Sequence, residues 1–70
     1  MTDKTNNQIA QTLKKIRLQK GLTQAELAEK AGINTNYYAK IERGELKSSI
    51  ETLEKLVKAL GIRWRDILPD

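Results

Sequence analysis

The glycines at positions 21, 32, 44 and 61 stand singly, and each closes a stretch of apolar residues spaced at a helical period. Glycine just past such a stretch is the residue a helix stop asks for, and the one proline lies near the end, at Pro69. Nothing between them alternates as a strand does. The chain is therefore expected to be all-α, five helices in one domain over residues 1–70, with a flexible lead at about residues 1–6. Ile9, Leu13 and Ile16 form the first stripe. Thr23 is placed to cap a second helix, Gln24 to Ala31, with Leu27, Ala28 and Ala31 on its inner face. Asn34 caps a third, Thr35 to Arg43, with Tyr38 and Ile41 inward. Ser48-Ser49-Ile50-Glu51 has capping-box spacing and opens a fourth, whose stripe is Leu53, Leu56, Val57 and Leu60. A short fifth helix is expected at about Arg63 to Leu68.

Composition excludes whole classes of chemistry. Without Cys or His there are no disulfides, thiolate nucleophiles or imidazole ligands, and the commonest general base is missing. A 70-residue chain spends most of its apolar side chains on folding, so no enclosed catalytic pocket is expected. Neither enzyme activity, metal nor cofactor is expected. Met1 to Gln8 is polar and no apolar run approaches the ~18 residues of a membrane span. The expected location is cytoplasmic, with no membrane contact. Residues 1–47 carry nine basic and five acidic side chains, whereas residues 48–70 carry four of each. The whole net charge of +4 thus lies in the first two-thirds, as on a molecule with one face for a polyanion. Glu26–Lys30, Glu51–Lys55 and Glu54–Lys58 are i, i+4 pairs read as solvated helix supports.

Gln24 to Arg43, QAELAEKAGINTNYYAKIER, places two short helices across a three- or four-residue turn containing Gly32, the spacing of a helix-turn-helix. Such a unit needs a small residue where the helices meet (Ala28), a positive φ in the turn (Gly32), and apolar glue, here Leu27, Ala31, Ile33, Tyr38 and Ile41.

LKKIRLQKGLTQAELAEKAGINTNYYAKIERGE followed by SSIETLEKLVKALGI resembles the Cro/phage-repressor family, the lambda-repressor-like or Xre-like DNA-binding domains, from about Ile9 to Leu68. The resemblance implies a compact five-helix domain whose second helix crosses the DNA backbone and whose third lies in the major groove. Carried over by position, it implies base reading by Thr35, Asn36 and Lys40. Backbone contacts would fall to Thr23, Gln24, Tyr37, Arg43 and Lys47, with the amino end of the second helix facing a phosphate. Arg17 and Glu42 match a family pair that fixes the angle of the third helix. Three departures stand out: Arg63 where the family offers a capping side chain, Ser48 near the usual proline, and Tyr38 for an aliphatic residue.

The function expected is sequence-specific binding of double-stranded DNA by a transcription regulator, a repressor on a pseudo-palindromic operator. One recognition helix reads few base pairs, so a homodimer is expected, formed in solution or only on DNA. Its candidate contacts are Leu46, Ile50, Trp64 and Leu68, with Trp64 otherwise a core residue. Two alternatives remain open: an antitoxin with a toxin partner, and a helical interaction module with no DNA role. With no second domain to bind a metabolite, switching would fall to concentration, a partner or degradation.

Overall fold

The structure, a computed structural model, describes residues 4–68, and the side chains from residue 7 onward. Five helices follow in order: α1 (Lys4–Gln19), α2 (Gln24–Ala31), α3 (Thr35–Glu42), α4 (Ile50–Leu60) and α5 (Trp64–Ile67). No strand occurs among the described residues. The lead expected over residues 1–6 lies outside the described residues at 1–3, and α1 begins at Lys4.

Local chemistry fixes the starts. Thr23 and Glu26 form a reciprocal capping box at α2: Glu26 N–H donates to Thr23 Oγ1 at 3.0 Å, and Thr23 N–H donates to Glu26 Oε1 at 2.8 Å. Asn34 Oδ1 accepts from Tyr37 N–H at 3.1 Å and opens α3. At α4 the expectation is corrected by one residue. Ser49, not Ser48, is the cap, and its Oγ accepts from Thr52 N–H at 3.1 Å. The tandem serines offer the same chemistry, and the later one wins because it sets the Thr52 hydroxyl inward, beside Ser49 Oγ and the Tyr37 hydroxyl, while Glu51 stays in solvent. α5 is shorter than expected, and Arg63 makes no side-chain cap. Asp66 supplies the missing bond from within the helix, accepting from Arg63 N–H at 2.8 Å.

One turn design closes four helical stretches. The N–H just after each glycine reaches back five residues: Leu22 to the Arg17 carbonyl at 3.1 Å, Ile33 to Ala28 at 2.9 Å, Glu45 to Lys40 at 2.9 Å and Ile62 to Val57 at 3.2 Å. Gly32, at φ 72°, makes the helix-turn-helix corner, a backbone shape that a side chain would strain. Leu22, Ile33 and Ile62 then pack, half-buried, against the core. Glu45 is exposed instead.

α2 lies at the centre, packed on α3 and α4, while α1 packs on α3 and α5. Leu13, Leu27, Tyr38, Ile41, Leu56 and Ile67 are fully buried. Burying one such aliphatic side chain is worth about 1.5–3 kcal/mol, and this shared centre holds four helices and α5 together. In α1 the inward face is Ala10, Leu13 and Arg17, with Ile9 and Ile16 half-buried at its flanks. Trp64 packs half-buried against the same core. The domain measures 30 × 24 × 21 Å.

Candidate nucleic-acid interface

α3 has two faces. Tyr38, Ala39, Ile41 and Glu42 are buried, while Thr35, Asn36, Lys40 and, at its carboxyl cap, Arg43 are exposed. Asn36, Lys40 and Arg43 recur at i, i+4, i+7, so they share one side of the helix. The face offers an amide, an ammonium and a guanidinium to whatever approaches.

The buried side is anchored by charge. Arg17, from α1, donates through Nε to Glu42 Oε2 at 2.9 Å and through Nη2 to Glu42 Oε1 at 2.8 Å. Its Nη1 donates to the Leu22 carbonyl at 2.6 Å, which ties in the turn before α2. The Arg17 and Glu42 side chains are only 8% and 2% exposed, so this bidentate pair is desolvated and directional. Burial pushes the Glu42 carboxyl up, but hydrogen bonding to Arg17 and its neighbours outweighs it and holds Glu42 below the ordinary carboxylate range. The Arg17 guanidinium is raised, chiefly by its hydrogen bond to Glu42. Tyr38 reaches the same corner, where its buried hydroxyl closes no hydrogen bond. Burial and then the Glu42 carboxylate push that phenol well above its usual value.

Gln24, the residue inferred to face a phosphate, is half-buried at the start of α2. Its Nε2 donates to Glu42 Oε1 at 3.2 Å, which joins the first residue of α2 to the last of α3. Thr23 is exposed at the amino end of α2, where the Glu26 carboxylate already occupies the capping position. Hydrogen bonding to Thr23 N–H holds Glu26 below its ordinary value.

Tyr37 is half-buried and packs on the core, with its hydroxyl 3.3 Å from Thr52 Oγ1 on α4. Arg43 is exposed and paired with Glu45 through its Nε, a partnership the sequence reading passed over. That bond lowers the Glu45 carboxyl and raises the Arg43 guanidinium. Lys47 is exposed in the α3–α4 connection. The candidate self-association residues Leu46, Ile50 and Leu68 are 40%, 72% and 46% exposed, and Leu18, not anticipated, is 57% exposed. Among the described residues no group of His, Cys, Asp or Glu is arranged to hold a metal ion. No described helix is long and apolar enough to cross a membrane.

Two short helices at a glycine corner, the first packed inward and the second turning a polar face to solvent, define a helix-turn-helix domain. The chain belongs to the helix-turn-helix family of phage-repressor type, whose model matches residues 13–67; this is a family of DNA-binding transcription regulators. It is 46% identical over 55 residues to the immunity repressor protein of Bacillus phage phi105, spanning 79% of this chain and 38% of that one. It is 35% identical over 69 residues to the control protein C.BamHI of Bacillus amyloliquefaciens, covering 97% of this chain and 85% of the relative. The restriction-modification controller protein C.Esp1396I, solved as a tetramer in complex with its natural 35-base-pair operator, superposes with a TM-score of 0.86 at 33% identity. That match covers 90% of this chain and 83% of the relative.

Proposed function

We propose that this domain binds double-stranded DNA as the reading unit of a transcription repressor. In this reading α3 enters the major groove, with Thr35, Asn36 and Lys40 toward base edges and Arg43 and Lys47 at phosphates. Thr23 and the amino end of α2 meet the backbone, while Arg17, Glu42 and Gln24 set the angle of α3. Tyr37 stands at the flank of the helix, with its hydroxyl bonded to Thr52. The observation that carries this reading is the exposed amide–ammonium–guanidinium face of α3, held from beneath by a buried bidentate ion pair. The operator complex of C.Esp1396I, at the similarity given above, supports it.

Two copies bind together, because one two-turn helix reads too few base pairs for specificity. The exposed Leu46, Ile50 and Leu68 and the edge of Trp64 are the self-association surface. The role is binding rather than catalysis, and its place is the cytoplasm, where the DNA is. Selection from random duplexes tests this. Inverted repeats with half-site centres about 10 base pairs apart are expected, bound with an affinity whose log–log salt slope is about −0.9 per phosphate contact. Recovery of asymmetric sites bound by one chain removes the paired model, and no binding at low salt removes the DNA reading.

A further inference from the structure

α3 is only two turns long; Tyr38 and Ile41 seat its inner face in the core, and polar ties to other helices stand toward its two ends. Its last residue, Glu42, is fixed to α1 by Arg17. In its first turn Tyr37 crosses to α4, where its hydroxyl meets the Thr52 hydroxyl at 3.3 Å. Thr52 is buried, and it is the only non-ionic polar side chain among the buried polar residues described. Its Oγ1 also accepts from Ser49 Oγ–H at 3.0 Å, and its N–H donates to Ser49 Oγ at 3.1 Å. A chain of three hydroxyls thus runs from the reading helix to the amino cap of α4.

We infer that Thr52 is a positioning residue for sequence reading: through Tyr37 it fixes the depth and tilt of the amino-terminal half of α3, where Thr35 and Asn36 stand. This rests on the DNA-binding reading above. The α3 carboxyl end is held by a bidentate ion pair, so what the buried Tyr38 ring leaves to adjust is a small tilt of the amino end about Glu42. Tyr37 lies on that end, on the flank of the helix roughly 100° round from Asn36, with its ring half-buried against the core. Its hydroxyl bond to a buried partner in α4 restrains the tilt. Base-edge hydrogen bonds are sensitive to such displacement, whereas contacts to flexible phosphate-bound cations follow a small tilt. Thr52 therefore governs discrimination between sequences and leaves the phosphate contribution alone. It touches no DNA.

Thr52→Val tests this, because it removes the hydroxyl, keeps the side-chain shape and leaves the Ser49 cap on the residue-52 N–H intact. On a site selected from random DNA and its single-base variants, Thr52→Val should lose about three- to ten-fold in preference at the base pairs read by Thr35 and Asn36. Affinity for unrelated duplex DNA and its salt slope should stay as in the parent. Thr52→Ser, which restores the hydroxyl, should recover the preference. Tyr37→Phe should lose it equally, with no further loss in the double variant Tyr37→Phe/Thr52→Val. Loss in Tyr37→Phe but not in Thr52→Val means that Tyr37 acts on DNA by itself, and it overturns the inference. An equal fall on all sequences in Thr52→Val, or no recovery by Thr52→Ser, overturns it as well. A parent protein with no sequence preference removes the DNA-reading role itself, a result distinguishable from all of these.

Discussion

Arg17→Ala removes a guanidinium that makes two bonds to a buried carboxylate and one to the Leu22 carbonyl. Glu42 is left with the Gln24 amide, a single bond for a charge whose side chain is almost wholly shielded from water. Breaking a buried pair from one side costs about 3–5 kcal/mol, and the surviving Gln24 contact points to the lower end, about 3 kcal/mol. A chain of 70 residues has a total stability of only about 3.5–10 kcal/mol, so this one change removes about three-tenths of it or more. The melting midpoint should fall by about 12–24 °C. Glu42→Ala should cost a similar amount, because Arg17 keeps only the Leu22 carbonyl. The double variant should be less damaged than the sum of the two, by about 2 kcal/mol. Urea melts of the four proteins at pH 7 measure this. Acid supplies a second arm. Glu42 is held below 4.5 in the folded protein, so on acidification the unfolded chain takes up its proton first. The pair's contribution is intact above that value and is lost as pH falls through the lower folded one. The cost of Arg17→Ala should therefore shrink at about pH 2.5. Single effects that add to within about 0.5 kcal/mol at pH 7 would refute the coupling.

Glu45→Gln should free Arg43 for phosphate and tighten binding to selected and unrelated duplexes alike, by about two- to five-fold. Its salt slope, to which Arg43 already contributes in the parent, should change by less than about 0.9, read by titration at several salt concentrations. Asn36→Ala or Lys40→Ala should cost about 1–3 kcal/mol on the best site and relax preference at one or two base pairs, measured against single-base variants. An equal loss on every sequence would make Lys40 a phosphate contact. Tyr38→Phe removes a buried hydroxyl that lies beside the Arg17–Glu42 pair without closing a hydrogen bond of its own, and should change stability by no more than about 1 kcal/mol in denaturant melts at neutral pH. Because the Tyr38 phenol is raised above 10, its share of the stability is complete below that pH and declines above it, a decline that should be smaller in the phenylalanine variant.

What the sequence made legible was whatever repeats within one helical turn. The Leu53, Leu56, Val57, Leu60 stripe, the Thr23 and Asn34 caps and the glycine stops are all local, and each is where its spacing puts it. Ser48 and Ser49 could not be told apart, because the difference lies in a bond from Thr52 toward α3, fifteen residues distant from Tyr37. The contacts of Gln24 and Tyr37 within the protein are hidden from the sequence for the same reason. Both are polar residues beside the reading face, and their partners, Glu42 and Thr52, lie on other helices. The Arg17–Glu42 pair spans 25 positions and was visible only through family resemblance. Arg43–Glu45 is local enough to have been seen. It was missed because an i, i+2 pair does not meet on a helix, and only the turn at Gly44 brings the two together.

The division of α3 into alternating buried and exposed positions separates two kinds of inheritance. Tyr38, Ala39, Ile41 and Glu42 answer to the interior, and Thr35, Asn36, Lys40 and Arg43 answer to solvent. Changes at the second set alter no core contact, so a lineage can wander among target sequences without passing through unfolded intermediates. A library randomised at those four positions alone should yield mostly folded proteins with diverging preferences. On the proposed reading of α3, the same partition makes the domain a replaceable reading head: its vocabulary changes by surface substitution, while the grammar of how it would sit on DNA stays in the bonds that tie α3 to α1, α2 and α4.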